Sequence, residues 1–381
     1  MLRTLFDDDH RDFEASVGTF LERHVRPRHE QIIEQRFVDR DIWLEAGRSG
    51  FLGLEVPEEY GGSEAGDYRF NTVLTEQFSR VSAALASCFG MHFDVVAPYL
   101  VELGTAEQKQ RWLPEFCTGE LLTAIAMTEP SGGSDLAALK TTAKPDGSDW
   151  IINGAKTFIT NGYNADLVIV AASTSPEKKA KGITLFGIEA GTPGFERSRK
   201  LDKVGQPESD TAELFFTDVR VPGANVIGEV DRGFIHMMSM LPQERISAAI
   251  SNLAHARAVF EETVEYAQQR QAFGQPIGSF QYNKFTIAEL ATLIDVTQSF
   301  VDSAVRAHCA SELTAVDAAK AKWWTAEAQN KILDTCVQLH GGYGYMNEYR
   351  VAQAWKDARV TKIWAGSNEI MKEIIGRDLG L

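Results

Sequence analysis

The pentapeptide Leu241–Arg245, LPQER, sets a carboxylate beside a guanidinium in a stretch that is otherwise apolar. Met237, Met238, Met240 and Leu241 lie just upstream of Glu244. A carboxylate among such neighbours is poorly hydrated, which disfavours its charged form and raises its pKa toward the range of a general base. An adjacent Glu–Arg pair also suits a solvated helix face, and the methionine-rich setting is what separates the two readings. Arg245 then either positions backbone or substrate near the base or serves a structural purpose. A second stretch, VTKIWAGSNEIMKEII (Val360–Ile375), reads as the entrance to a helix. Gly366 frees the turn, Ser367 or Asn368 caps it, and Ile370, Met371, Ile374 and Ile375 form an apolar stripe. Such an N-terminus suits an anionic ligand. Ala365, just before the turn, brings only a methyl group.

Three further loops have ligand-binding chemistry. AMTEPSGGSD (Ala126–Asp135) packs small hydroxyls and free backbone N–H groups into one segment, and these can line a planar or phosphate-bearing ligand. An ordinary loop has the same composition. No Walker motif or GxGxxG accompanies it. RQAFGQPIGSFQ (Arg270–Gln281) joins two helical runs and offers Arg270 to a phosphate and Phe273 and Phe280 to a ring, or simply to the core. QLHGGYGYMNEY (Gln338–Tyr349) interrupts a helix with paired glycines, permitting close backbone approach or a tight turn. The eight histidines show no metal-binding spacing.

The elements that must position these groups fall into three segments. Residues 1–120 read as an N-terminal α-helical domain: Phe13, Val17, Phe20, Leu21 and Val25 recur at helical spacing, as do Phe70, Val73, Leu74, Phe78 and Val81. Residues 121–230 change to short β-rich runs, and Asn153-Gly154 between two of them predicts a hairpin turn, so a middle antiparallel β-domain is expected. Residues 231–381 return to long helical runs and predict a C-terminal four-helix bundle, with Pro242 kinking or restarting the first helix. The fold class is therefore α+β and multi-domain. The formal net charge of −15 excludes a general nucleic-acid or anionic-membrane binder. No apolar run is expected to reach the roughly 18–20 residues of a membrane span. Cys88, Cys117, Cys309 and Cys336 are far apart, which fits free thiols in a reducing cytosol, and a cytoplasmic location is expected.

Together, AMTEPSGGSD, INGAKTFITNG, RQAFGQPI, QLHGGYGY and IWAGSNEIMKEIIGRDL resemble the acyl-CoA dehydrogenase family over nearly the whole chain. The resemblance implies FAD held without a covalent bond, in a homotetramer or homodimer whose subunits complete each other's flavin sites. It implies that Met127, Thr128 and Ser134, with Phe158, Ile159 and Thr160, contact flavin or substrate. Arg270, Phe273, Gln281, Gln338, Gly341 and Gly342 are implied to hold the ADP half, and Ser367 and Glu369 to lie by the cofactor. Ser134, Arg245, Ala365 and Gly366 are implied substrate neighbours. The implied reaction is α,β-dehydrogenation of an acyl-CoA thioester, with electrons passing to an electron-transferring flavoprotein. A Glu removes the α-proton while the β-hydride goes to flavin N5. In most members that Glu precedes the Gly of the C-terminal motif, the position of Ala365 here. The long-chain and isovaleryl types carry it on the first bundle helix instead, and the long-chain type has it within LPQER, so the resemblance implies Glu244 as base. The Ala365 N–H, with a flavin ribityl hydroxyl, is then the implied donor to the thioester oxygen. An oxidase of the same fold, a dehydrogenase of carrier-protein thioesters and a non-catalytic acyl-CoA-binding scaffold stay open, as does the acyl chain length.

Overall fold

The computed structural model describes residues 3–381. Seven helices open the chain: α1 (Asp8–Phe20), α2 (His29–Gln35), α3 (Arg40–Arg48), α4 (Arg69–Val81), α5 (Ala83–Gly90), α6 (Ala97–Leu103) and α7 (Ala106–Thr118). Val17, Phe20, Leu74, Phe78 and Val81 recur at helical spacing because they face one core, shared with Phe51, Leu85 and Phe89. The run from Arg69 to Leu85 is two helices. Ser82 adopts an extended conformation, and its hydroxyl accepts the Ala84 N–H at the start of α5. A π-helical turn, Met91–Val96, joins α5 to α6. The stretch Ala83–Leu103 spans 21 residues and is apolar enough by composition, so one helical run does reach membrane-spanning length, contrary to expectation. Most of it is buried inside the protein, and it carries His92 and Asp94 at 0% exposure, as suits a core helix.

The middle segment is one sheet of β1 (Thr123–Ala126), β2 (Thr142–Asp146), β3 (Asp149–Thr160), β4 (Leu167–Ser173), β5 (Ile183–Glu189), β6 (Phe195–Arg197), β7 (Thr211–Pro222) and β8 (Val226–Ile227). The order is β6-β7-β3-β2-β4-β5-β8, with β1 also on β4. The sheet is mixed, not purely antiparallel: β1 runs parallel to β4, and β2 meets β4 in a single parallel pair. The β2–β3 excursion separates β1 from β4 in sequence, so β4 returns in the direction of β1. Asn153-Gly154 is not a hairpin turn. The turn lies at Gly147-Ser148, between paired Asp146 and Asp149. Asn153 stays in β3 because its side chain exchanges two hydrogen bonds with Asp218 of β7, at 3.0 and 2.9 Å. The Asn-Gly pair makes a bulge there instead.

The last segment holds α8 (Gly233–Gln269), α9 (Gln281–Cys309), α10 (Ala315–His340), α11 (Arg350–Ala358) and α12 (Asn368–Asp378). Helix α8 continues through Pro242 without a fresh start. The hydrogen bond lost at proline is offset by packing along both halves of the helix. Its first half gives Met237 and Met240 to a core with Tyr99, Trp112, Ile125 and Leu167. From Ile246 on, it joins the bundle core of Ile250, Leu290, Ile294, Ile332 and Leu333. Glu244 stands at the seam between these two cores. Leu333 is fully buried, so Leu333→Ala is expected to cost about 2–5 kcal/mol, read as a lower urea midpoint by circular dichroism.

Candidate active site

Glu244 sits on α8 where the helix passes the N-terminal helices. Tyr99 of α6, itself 0% exposed, donates its hydroxyl to Glu244 Oε1 at 3.0 Å. Burial pushes the Glu244 carboxyl up to about 7, with the Asp94 charge adding to this; the Tyr99 hydrogen bond and Arg245 draw it down. Asp94 belongs to a buried polar network. Gln243 Nε2 donates to Asp94 Oδ1 at 3.0 Å and to Glu55 Oε1 at 3.2 Å, and the Tyr68 hydroxyl donates to Asp94 Oδ2 at 3.0 Å. The Glu55 carboxyl is pushed up to about 8, chiefly by burial and then by the Asp94 charge. A medium that raises the Glu244 and Glu55 carboxyls to about 7 and about 8 is poorly solvated, a setting in which a carboxylate can act as a general base.

The second candidate stretch comes to the same place through α10. Lys322 is 0% exposed and donates from Nζ to the Gly366 carbonyl at 2.5 Å. Its pKa is pushed down to about 8 by burial and by the neighbouring charge of Arg245. Arg245, Lys322 and the Ala365–Gly366 turn therefore adjoin one another, although Glu244 and Ala365 lie 121 residues apart (365 − 244). Ala365 has φ +50° and Gly366 φ +84°, two successive left-handed residues, before Ser367 caps α12 by accepting the Ile370 N–H. The left-handed conformation accounts for glycine at 366; at 365 a non-glycine residue carries the strain. Glu369 is exposed in the first turn of α12. Arg245 Nε, Trp364 Nε1 and Asn368 Oδ1 are buried polar atoms without a partner in the protein.

The loop after β1 is held by a buried ion pair that sequence reasoning missed. Lys156 Nζ lies 2.9 Å from Glu129 Oε1 and also donates to the Met127 carbonyl at 3.1 Å. The Glu129 carboxylate accepts the Lys140 and Thr141 N–H groups at 2.7 and 2.9 Å. Met127 packs beside the core that contains Met237 and Met240 of α8. Thr128 accepts the Thr157 N–H on its backbone oxygen at 3.0 Å, and Ser134 is exposed. In β3, Phe158 has φ +60° and is 70% exposed, at a second register shift. Ile159 turns its side chain into the sheet core, so only its backbone is free for a ligand, while Thr160 is half-buried.

A cavity of about 650 Å³ opens where α8, α9 and α10 end or begin. Arg270, Gln338, Gly341 and Gly342 line it together with Tyr266, Tyr282, Asn283 and Tyr343. The Arg270 guanidinium lies 5.3 Å from the Tyr343 ring centre, and His340 stacks on Tyr266. Phe273 and Gln281 do not line it. Phe273 caps a tight hairpin, β9 (Gln271–Ala272) to β10 (Gln275–Pro276), at φ +51° and 96% exposure, and Gln281 is exposed at the start of α9.

Three family models cover the chain: the N-terminal domain of acyl-CoA dehydrogenase over residues 7–120, the middle domain over 124–219 and the C-terminal domain over 231–380. The chain belongs to the acyl-CoA dehydrogenase family. It is 44% identical over 380 residues to the mitochondrial long-chain specific acyl-CoA dehydrogenase of Rattus norvegicus, covering 99% of this chain and 88% of the rat protein. Among solved structures, an acyl-CoA dehydrogenase from Geobacillus kaustophilus superposes with a TM-score of 0.97 at 44% identity, covering 99% of each chain. One from Bacillus anthracis, complexed with FAD, gives 0.92 at 31% identity over 98% of this chain and 68% of that one.

As a member of this family the protein is a flavin-dependent oxidoreductase with FAD as cofactor. The residues present fit that group. A Cβ built on Gly341 or Gly342 would meet no heavy atom within 4 Å, so the bare backbone faces open space. Among the described residues no carboxylate lines the cavity, and Arg270 offers a cation, a donor set suited to a diphosphate in a chain of net charge −15. Arg270→Ala is expected to weaken FAD retention by about 10- to 100-fold, the loss of a charged hydrogen bond. The ratio of flavin to protein absorbance after gel filtration measures it.

Proposed function

We propose that Glu244 removes the α-proton of a bound acyl-CoA thioester in a dehydrogenation that yields the trans-2-enoyl-CoA. The observation that carries this reading is the half-buried Glu244 carboxyl at the seam of two cores, held by Tyr99 and pushed up to about 7. The Cα–H bond breaks, its proton passes to the Glu244 carboxylate, and its electron pair becomes the new double bond as the β-hydrogen departs. Bound FAD, which Arg270, Gln338, Gly341 and Gly342 would hold, would supply the acceptor for that hydrogen and its electron pair. Charge that develops on the thioester oxygen is met by the Ala365 N–H, a donor that no side-chain change removes. The methyl group at 365 leaves the space beside the α-carbon to Glu244.

The substrate class we assign is a long-chain acyl-CoA, supported by the LPQER setting of the base and by the 44% identity to the rat long-chain enzyme. We assign the onward electrons to an electron-transferring flavoprotein and the assembly to a homotetramer. Support for assembly comes from Phe273, Tyr282 and Phe285, at 96%, 80% and 57% exposure beside the cofactor cavity. Four unpaired cysteines support a cytosolic location within the same reading.

Glu244→Gln is expected to keep FAD bound while anaerobic bleaching of the flavin by palmitoyl-CoA stops; bleaching at the parental rate would sink the assignment. The base works as carboxylate, so the bleaching rate of the parent rises with pH through about 7. Tyr99→Phe removes a hydrogen bond that favours the charged form and moves this limb to higher pH. Asp94→Asn removes a repelling charge and moves it to lower pH. Stopped-flow absorbance across the neutral range reads both shifts, and equal directions for the two variants would contradict the account.

A further inference from the structure

Lys322 is hard to explain as a stabilising residue. It is fully buried, and although the Glu369 charge attracts it, no carboxylate among the described residues stands at ion-pair distance. Its neighbour Arg245 carries the same charge, and its hydrogen-bond acceptor, Gly366, lies at the N-terminal end of α12, the end where a helix disfavours a cation. A methionine or leucine would fill the volume between α10 and α12 without any of these costs. The one thing the ammonium does that they cannot is hold the Gly366 carbonyl.

That carbonyl belongs to the two-residue left-handed turn of Ala365 and Gly366. A turn with φ +50° at a non-glycine residue persists only where its surroundings dictate it. Ser367 fixes the turn from the α12 side, through the Ile370 N–H at 3.3 Å. Arg245 of α8, whose charge acts on Lys322, has its Nε without a partner among the described residues. Glu327 of α10 accepts from Asn368 Nδ2 at 2.9 Å just past the turn, and Lys322, also from α10, reaches the carbonyl of the turn itself.

We propose that Lys322 is a positioning residue for the dehydrogenation: its hydrogen bond to the Gly366 carbonyl holds the Ala365–Gly366 turn so that the Ala365 N–H meets the thioester oxygen. The proposal rests on the reading in which Glu244 takes the α-proton and the Ala365 N–H meets the developing charge. Lys322 makes no bond to substrate. It keeps a backbone donor aimed where charge appears only in the transition state, and small misplacements of such a donor are costly.

The test uses the FAD-loaded protein with Lys322→Met, anaerobic stopped-flow bleaching by palmitoyl-CoA, and a pH titration with a 3-thia-acyl-CoA. The α-anion of that analogue gives a long-wavelength absorbance beside oxidised flavin, so the pH midpoint of the band measures how well the site stabilises the anion. The expected result is unchanged flavin content and KM, a bleaching rate lower by about 10- to 100-fold, and a midpoint moved to higher pH. A flavin-loaded variant with the parental rate and midpoint overturns the proposal. Where Lys322→Met does not fold, Lys322→Gln, whose shorter side chain falls short of the carbonyl, is read in the same way. Loss of fold or flavin in both variants assigns the lysine to structure and also overturns the proposal. Glu244→Gln, run alongside, separates the two readings. Parental bleaching there removes the base assignment alone, whereas a parental midpoint in the lysine variant removes the positioning role alone.

Discussion

The site depends on keeping one carboxyl incompletely hydrated without stripping it of partners. Full burial of an unpaired carboxylate would cost several kcal/mol, and full exposure would leave it too weak a base. Glu244 stands between these limits because α8 crosses from one hydrophobic core to another at that residue. The Tyr99 hydroxyl and the Arg245 charge stabilise the anion, while burial and the Asp94 charge oppose it. Tyr99 and Asp94 come from the N-terminal domain and Glu244 from the bundle, so the packing of the one on the other sets the chemistry. Displacing α6 from α8 would remove the Tyr99 hydrogen bond and so shift the proton affinity of the Glu244 carboxyl.

The helices were legible because their apolar residues repeat at the period of the face they bury, as with Val17, Phe20, Leu74 and Phe78. Where a local signal competes with partners distant in sequence, it misleads. Asn153-Gly154 has turn chemistry, but Asp218 holds Asn153 in the strand and a neighbouring Gly147 makes the turn. Pro242 lacks an N–H, yet the two cores on either side of it carry the helix across. Ser82 breaks an apolar run that periodicity joins, because its hydroxyl caps the next helix from an extended backbone.

Of the candidate site, the poorly hydrated setting of Glu244 was legible because it is local: methionines one to two turns upstream. Arg270, Gln338, Gly341 and Gly342 share one cavity, and their motifs were visible in the sequence. Tyr99, Asp94, Glu129 and Lys322 were not, since each acts through a partner on another element; Tyr99 lies 145 residues from Glu244. Nothing in the composition around a lone tyrosine or lysine announces such a partner. Phe273 and Gln281 show the converse, where a motif is present but the single chain turns these two side chains away from the cavity.

Two buried lysines suggest how strained loops are kept at such a site. Lys156 and Lys322 are both 0% exposed, and burial pushes both ammonium groups down to about 8. Each donates to a backbone carbonyl of a motif loop, Met127 in one case and Gly366 in the other. Each loop lies near a non-glycine residue held in the left-handed region, Phe158 and Ala365, at an expense on the order of 1–3 kcal/mol apiece. A neutral donor such as asparagine has a shorter reach and a weaker bond to a carbonyl. The four-carbon stem of lysine lets a helix or strand hold a loop it does not touch through its own backbone. The difference between the two clamps is electrostatic. Lys156 is paired with Glu129 at 2.9 Å, so its field is largely cancelled, whereas Lys322 feels the Arg245 charge more strongly than the opposing charge of Glu369. Of the two loops, it is the one assigned to meet developing negative charge that has the less fully compensated cation behind it.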